Sequence, residues 1–492
     1  FSMTEEGGTI RIAAGWDSRD ADRLVAAARE DADAVTLIRT GPVGIAGWDP
    51  VLFASTAEQT AVYPAPALAT IGEVIEAVEG GEFPAETSHC VSHPADALRR
   101  PQVPTTPLEG RVDRVVGHAG WTDPFAPADV PASVDLLAGP ARAVRGRGWG
   151  DAAEDLPVGE VWDRLSADAT DAIVVVNAAD PHRLAQVDRF LMASQPARII
   201  ATAAALCDAM GAEDLVVVLP ADAGELAARL TAAVEIDAPA AVQVVSGPDR
   251  FHATEPRALV EYLEGKDRIE PRRGPPGPEQ FGVFGRPTVI HTPRTLAQVA
   301  AVELRGQGGE DPGTRLFHVC GDVRVEQTVE LDPSDPIGAA ITAADPDDEV
   351  AMAIVGGVFG GFTTDLTLPA GAASLQAAGV GTDGVIEVCA PQRCPVRIAG
   401  DRISYAAESN SGRCVPGREG TVQLTELLRG VYAGDLDTAA IEELSRVMRH
   451  SSNCRLAAAA TRPVTTALAQ FRGAFEAHAA GQCPAGGCPQ LS

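Results

Sequence analysis

Between residues 168 and 263 short, wholly apolar segments alternate with longer amphipathic ones, and that alternation constrains the fold more than any other feature. Ile173-Val174-Val175-Val176-Asn177, Leu215 to Leu219 and Ala241 to Val245 read as strands. The first two are too continuously apolar for a sheet with one wet face. Pro196 to Met210 sets Ile199, Ile200, Ala203, Ala204 and Leu206 towards one helical face, and Ala223 to Ala233 and Glu255 to Leu263 are further helices. Strands and helices in strict alternation imply a parallel sheet covered on both sides. Ligands of such sheets bind at the carboxyl ends of the strands. Asn177 and the Gly247-Pro248-Asp249 turn lie at two of those ends.

The flanking segments read differently. Residues 8 to 80 form a small α/β unit, with strands at Thr9 to Ala13 and Ala34 to Arg39 and helices at Asp20 to Arg29 and Thr70 to Val78. Residues 82 to 155 are proline-rich, weakly periodic and irregular, and contain Arg145-Gly146-Arg147-Gly148-Trp149-Gly150. After a Pro/Gly-rich stretch at 268 to 290 the period turns towards two, with strands near 315–319, 327–331 and 350–355. From Val422 to His478 the pattern is helical, with Leu424, Leu427 and Leu428 on one face and Ile441, Leu444 and Val447 on another. Ala479 to Ser492 is a Gly/Pro-rich tail. A chain of 492 residues holds about two to four such units.

Charge narrows the function classes. The chain carries 68 acidic against 39 basic side chains, a net −29, and Lys266 is its one lysine. That field repels phosphate backbones and anionic membranes, and 4% aromatic content is too little for a base-stacking platform. No nucleic-acid partner and no membrane insertion are expected, because no apolar run reaches roughly 18 residues. Nine cysteines scattered over a long chain argue against a disulfide framework, and a cytoplasmic protein is expected. The arginine bias fits a salt-adapted host and a GC-rich genome equally well.

The order of landmarks resembles the NADH-binding flavoprotein subunit of respiratory complex I and its relatives in formate dehydrogenases and hydrogenases. Arg145-Gly146-Arg147-Gly148 is similar to the family's glycine-rich flavin loop, Val176-Asn177-Ala178 to its strand-end flavin motif, and Phe281 to Thr295 to the segment leading into a further flavin contact. Ser409 to Thr421, ending Arg-Glu-Gly-Thr, resembles the iron–sulfur loop. The resemblance implies an α/β fold: a thioredoxin-like unit at 1–81, an irregular connection at 82–155, a parallel-sheet flavoprotein-like core at 156–300, a β-grasp-like domain at 301–405, a helical bundle resembling an iron–sulfur domain at 406–478, and a tail at 479–492. It implies partners among the other subunits of a dehydrogenase-type complex.

Carried over residue by residue, the resemblance nominates Gly146, Arg147, Gly148, Asn177, Asp180, Glu255, His291, Thr292 and Thr295 for cofactor binding, and Cys414 and Cys454 as metal ligands. The pattern also departs from the family. Trp149 and Asp151 follow the glycine loop, His291-Thr292 replaces paired asparagines, and Ser411 and Gly417 stand at two cluster positions. On that count FMN and NADH are doubtful occupants and a 4Fe-4S cluster is unlikely. The expectation is therefore a structural or regulatory subunit with degraded sites. The alternative is an active subunit passing electrons from NADH through FMN to an iron–sulfur cluster.

Overall fold

The structure is a computed structural model that describes residues 8–31, 34–84, 89–92, 98–127, 136–165, 171–237, 241–270 and 274–488. It opens on a five-stranded sheet built from β1 (Thr9–Ala13), β2 (Thr36–Thr40), β3 (Val51–Ser55), β4 (Gln59–Pro64) and β5 (Cys90–Ser92), in the order β2-β1-β3-β4-β5. β1 is parallel to β2 and antiparallel to β3. With α1 (Arg19–Asp31) and α2 (Thr70–Glu79) this is a thioredoxin-like unit. Leu24 and Ala28 of α1 meet Ile71, Val74, Ile75 and Val78 of α2 over Ile10 and Ile12. The β3–β4 hairpin is not evident in the sequence, because Val51 to Ser55 is buried at every position and has no alternation to read.

The stretch from 98 to 127 winds between units and is fixed by buried polar groups. Arg100 pairs with Asp113 at 3.0 Å and donates to the Val43 and Ala119 carbonyls. Glu330 accepts from the Val115 and Val116 amides at 2.9 and 3.1 Å.

The central core contains α3 (Val158–Trp162), β6 (Ile173–Asn177), α4 (Val187–Ser194), α5 (Pro196–Met210), β7 (Asp214–Leu219), α6 (Gly224–Asp237), β8 (Ala241–Ser246), α7 (Pro256–Leu263), β9 (Thr288–His291) and α8 (Pro293–Arg305). Its sheet runs β8-β7-β6-β9 and every pair is parallel. β6 is buried at all positions, as its apolar run requires, while the edge strand β8 is half exposed. The chain steps outward from β6 to β8 and then returns to the other side of β6, so the crevice between β6 and β9 is the switch point where ligands bind. Gly211, at φ +66°, ends α5 in the left-handed region that glycine tolerates.

The β-grasp-like domain holds β10 (Arg315–Gly321), β11 (Gln327–Leu331), α9 (Ile337–Ala343), β12 (Met352–Val355), β13 (Gly361–Thr363), α10 (Ala372–Ala377) and β14 (Val385–Cys389). Its sheet order is β11-β10-β14-β12-β13, with β14 inserted parallel to β10. The C-terminal helices are α11 (Pro395–Ser409), α12 (Val415–Tyr432), α13 (Thr438–Ser451), α14 (Arg455–Gln470) and α15 (Arg472–Ala479). They close on Leu424, Leu428, Ile441, Met448, Leu456, Val464 and Phe475. Met448, rather than Val447, takes the core position on α13.

Among the described residues no single helix is long and apolar enough to cross a membrane. α4 and α5 pass on composition only as a pair bent by 96°, and residues of both lie in the main core.

Trp16 docks the first unit on the core. Its Nε1 donates to the Ala193 carbonyl at 2.8 Å, its ring lies 5.3 Å from that of Phe125, and Arg39 and Arg229 sit over it at 4.8 and 4.9 Å. Replacing Trp16 by alanine is expected to cost about 3–5 kcal/mol, read as a lowered midpoint in thermal or denaturant unfolding.

Candidate flavin crevice and metal-ligating thiols

The glycine loop after Ala143 lies across the carboxyl ends of β6 and β9. Gly146 donates to the Leu156 carbonyl at 2.9 Å, and Asp155 donates back to the Gly146 carbonyl at 3.0 Å. A Cβ on Gly146 would sit 2.4 Å from the Ala153 backbone, and one on Gly150 would sit 2.5 Å from Asn177 Nδ2. Glycine is needed here because protein backbone and side chains approach the loop closely.

Asp151 is the centre of this arrangement. It is 0% exposed, and its carboxylate accepts from the Thr292 amide at 2.9 Å, the Ala153 amide at 2.8 Å and His291 Nδ1 at 3.1 Å. Trp162 Nε1 donates to His291 Nε2 at 2.9 Å, which leaves Nδ1–H to face Asp151. Burial alone would push the Asp151 carboxyl up. His291, together with hydrogen bonds from His291, Thr295 and the Thr292 amide, holds it below the usual range instead.

The structure therefore brings most nominated residues together. Asn177 Nδ2 donates to the Gly150 and Thr254 carbonyls at 2.9 and 3.0 Å. The Arg147 amide donates to Thr295 Oγ1 at 2.8 Å, and Thr292 Oγ1 donates to the Arg147 carbonyl at 2.6 Å. Gly148, at φ +91°, leaves room for the Arg294 guanidinium, which pairs with Asp188 at 2.6 Å. Thr292 and Glu255 are also N-caps, of α8 and α7, each followed by a proline at the first helical position. Asp180 stands apart, paired with Arg189 at 2.6 Å, and burial pushes its carboxyl up to about 7.

Beside this packed loop lies an open crevice of about 340 Å³, between the core, the β-grasp turn at Gly356 and the helical region. Its aromatic wall is Trp149 against Phe251, ring centroids 4.7 Å apart. Arg455 lies 4.7 Å over the Trp149 ring, donates to the Trp149 carbonyl at 3.1 Å and pairs with Glu154. Arg462 donates to the Phe359 carbonyl at 3.0 Å, and among the described residues no carboxylate stands within ion-pair distance of it. Burial lowers the pKa of both guanidiniums, Arg455 to about 10. Two buried polar atoms of the lining, Trp149 Nε1 and Asp155 Oδ1, have no hydrogen-bond partner. His182 and Asp383 complete the floor at 3.5 Å. Sequence reasoning missed Arg455 and Arg462. Their seven-residue spacing, which puts both on one face of α14, was the available signal.

The thiols gather in two places. Cys414 and Cys454 precede α12 and α14, and the Asn453 amide donates to Cys414 Sγ at 3.1 Å. A Cβ on Gly417 would sit 3.3 Å from Cys454 Sγ, so these three positions form one small cradle. Burial raises the Cys414 thiol, but hydrogen bonds from the Gly417, Asn453 and Cys454 amides and the Cys454 thiol outweigh it and hold the pKa low. The second group is Cys394, His478, Cys483 and Cys488, whose ligand atoms all lie within 4.8 Å of one another.

Comparison with known proteins follows these landmarks. Residues 143–301 match the Nuo51 FMN-binding domain, and 397–478 match the NADH-ubiquinone oxidoreductase-F iron-sulfur binding region. The chain is 32% identical over 259 residues to an NADH-quinone oxidoreductase subunit of Rhizobium meliloti, covering 48% of this chain and 60% of that protein. It is 27% identical over 275 residues to the NADP-reducing hydrogenase subunit HndC of Solidesulfovibrio fructosivorans, covering 51% and 54%. A chain of an NAD+-reducing [NiFe]-hydrogenase in the H2-reduced state shares the fold, with a TM-score of 0.66 at 24% identity over 97% of this chain and 85% of that one. Two segments of the chain are thus similar to an FMN-binding domain and an iron–sulfur binding region found in NADH-quinone oxidoreductases. The chain spans between half and two thirds of the length of the curated relatives named.

These matches correct the expectation that FMN is a doubtful occupant and a 4Fe-4S cluster unlikely. Residues 143–301 and 397–478 match the two cofactor-binding regions, and the C-terminal end gathers Cys and His side chains into a ligand set. The expectation counted motif positions singly. The fold also brings Cys394, Cys483 and Cys488, which lie far apart or in the tail in sequence, to His478.

Asp151→Asn is expected to destabilise the chain by about 1–3 kcal/mol, because its amide NH2 would face donors that the carboxylate now accepts from and leave a buried group unsatisfied. A carboxyl held low stabilises the fold above roughly pH 4 and loses that contribution as pH falls through its depressed pKa. The gap between variant and wild type in chemical denaturation should therefore narrow below about pH 4.

Proposed function

We propose that this chain is the NADH-linked flavoprotein subunit of a multi-subunit dehydrogenase or hydrogenase, and that it works as an electron-transfer enzyme. The observation that carries the reading is the crevice at Trp149. Two half-buried guanidiniums, one of them with no carboxylate in ion-pair distance among the described residues, beside an aromatic wall and unpartnered polar atoms suit a planar ligand that bears phosphate. FMN meets that description. Arg455 and Arg462 would hold its phosphate, Trp149 and Phe251 would face its ring, and Trp149 Nε1 would donate to it.

Bound there, a flavin supplies the step from a hydride pair to single electrons. The protein's part is to orient and to exclude water. Asp151 and Asn177 keep the glycine loop rigid under the crevice, and the His182–Asp383 pair fixes the floor against the β-grasp turn. Cys414 and Cys454 are the thiolates that the iron–sulfur region offers to a cluster, with the Ser411 hydroxyl at a third family position. The N-terminal unit and the β-grasp-like domain would form docking faces for partner subunits, in keeping with relatives named as subunits.

Titrating the full chain with FMN, followed by quenching of flavin fluorescence, tests the reading. Saturable binding is expected, and Arg462→Ala should weaken it roughly ten- to hundredfold through loss of one charge-assisted contact. Binding indifferent to Arg462 and Arg455 would remove the crevice as the flavin site.

A further inference from the structure

The segment after α15 does not trail away. Residues 480–488 turn back over the start of α11, and Arg397 Nη1 holds the Gly487 carbonyl at 2.9 Å. A Cβ on Gly487 would sit 2.6 Å from the Gln392 carbonyl oxygen, so the return is too close for any other residue. The turn delivers Cys483 and Cys488 to Cys394 and His478. Cys394 Sγ lies 3.3 Å and Cys488 Sγ 3.5 Å from His478 Nε2. His478 is fully buried and Cys394 and Cys488 nearly so. The other ring nitrogen, Nδ1, donates to the Ala474 carbonyl at 2.6 Å, which leaves Nε2 unprotonated, facing the Cys394 and Cys488 sulfurs, and fixes the ring's orientation.

We propose that Cys394, His478, Cys483 and Cys488 bind a single tetrahedral zinc ion that straps residues 480–488 onto the start of α11. The spacing decides between one ion and a cluster. Metal–ligand bonds of ~2.0–2.3 Å at a tetrahedral angle place neighbouring ligand atoms roughly 3.5–3.8 Å apart. The two distances to His478 Nε2 fall near that range, and no pair in the set exceeds 4.8 Å. In a four-iron cluster each thiolate holds a different iron, and the sulfurs splay more widely. Three thiolates and one imidazole with no open position form a structural zinc set.

The Arg397 amide points at Cys394 Sγ at 3.5 Å. The site stands apart from the Cys414–Cys454 pair and does not rest on the flavoprotein reading.

The test measures zinc and iron per chain by elemental analysis on full-length protein, together with the visible spectrum after exchange into cobalt. One zinc per chain that survives desalting is expected, with cobalt giving the intense bands of a tetrahedral thiolate site. Cys483→Ser, at the most exposed ligand, and Cys394→Ser should each lose at least nine tenths of the zinc. Iron content should stay unchanged. The cobalt spectrum needs no variant, so it reads the site even if a substitution unfolds the chain. Zinc absent after reduced protein is supplied with it, zinc retained by folded variants, or iron lost in its place would each overturn the assignment.

Discussion

A single buried carboxylate organises the centre of this molecule. Asp151 ties the glycine loop to the first turn of α8 through the Thr292 amide and to β9 through His291, and Trp162 holds His291 from the far side. Because the loop cannot leave, Trp149 is delivered to a fixed place against Phe251, and the crevice acquires its aromatic wall. The carboxylate is affordable in a dry interior because every approach to it is a donor. Take those donors away and the same charge would be among the most destabilising groups in the chain.

The charge pattern around the crevice runs opposite to that of the chain. A protein with net −29 places Arg455 and Arg462 half-buried beside a turn of the β-grasp-like domain, and among the described residues no carboxylate stands within ion-pair distance of Arg462. The proposed phosphate-bearing ligand would add the charge that Arg462 can pair with. The same end of the molecule draws α11, α14 and the returning segment together, so the crevice, the Cys414–Cys454 cradle and the Cys3His set share one helical framework.

Much of the fold was legible because it rests on local pattern. Ile173–Asn177 and Pro196–Met210 follow from apolar periodicity, and the parallel core follows from their alternation. The hairpin of β3 and β4 was not legible, since fully buried strands erase the alternation that marks an edge. The site was legible in part. Gly146, Asn177, His291, Thr292 and Thr295 do converge, whereas their hydrogen bonds to one another were invisible, because Asp151 finds His291 across 140 residues. The union of Cys394 with Cys488 also depends on a long-range contact that no spacing announces. Thr292 and Glu255 carried a readable local signal, a capping side chain before proline, that the search for cofactor contacts passed over.

The central claim is that the chain carries a flavin that NADH reduces. The most direct measurement is an anaerobic ultraviolet–visible spectrum of the purified chain, taken as isolated and after reconstitution with FMN, before and after NADH. The account predicts flavin bands that bleach on addition of NADH. A spectrum featureless above the protein band after reconstitution, or flavin bands indifferent to NADH, would contradict it.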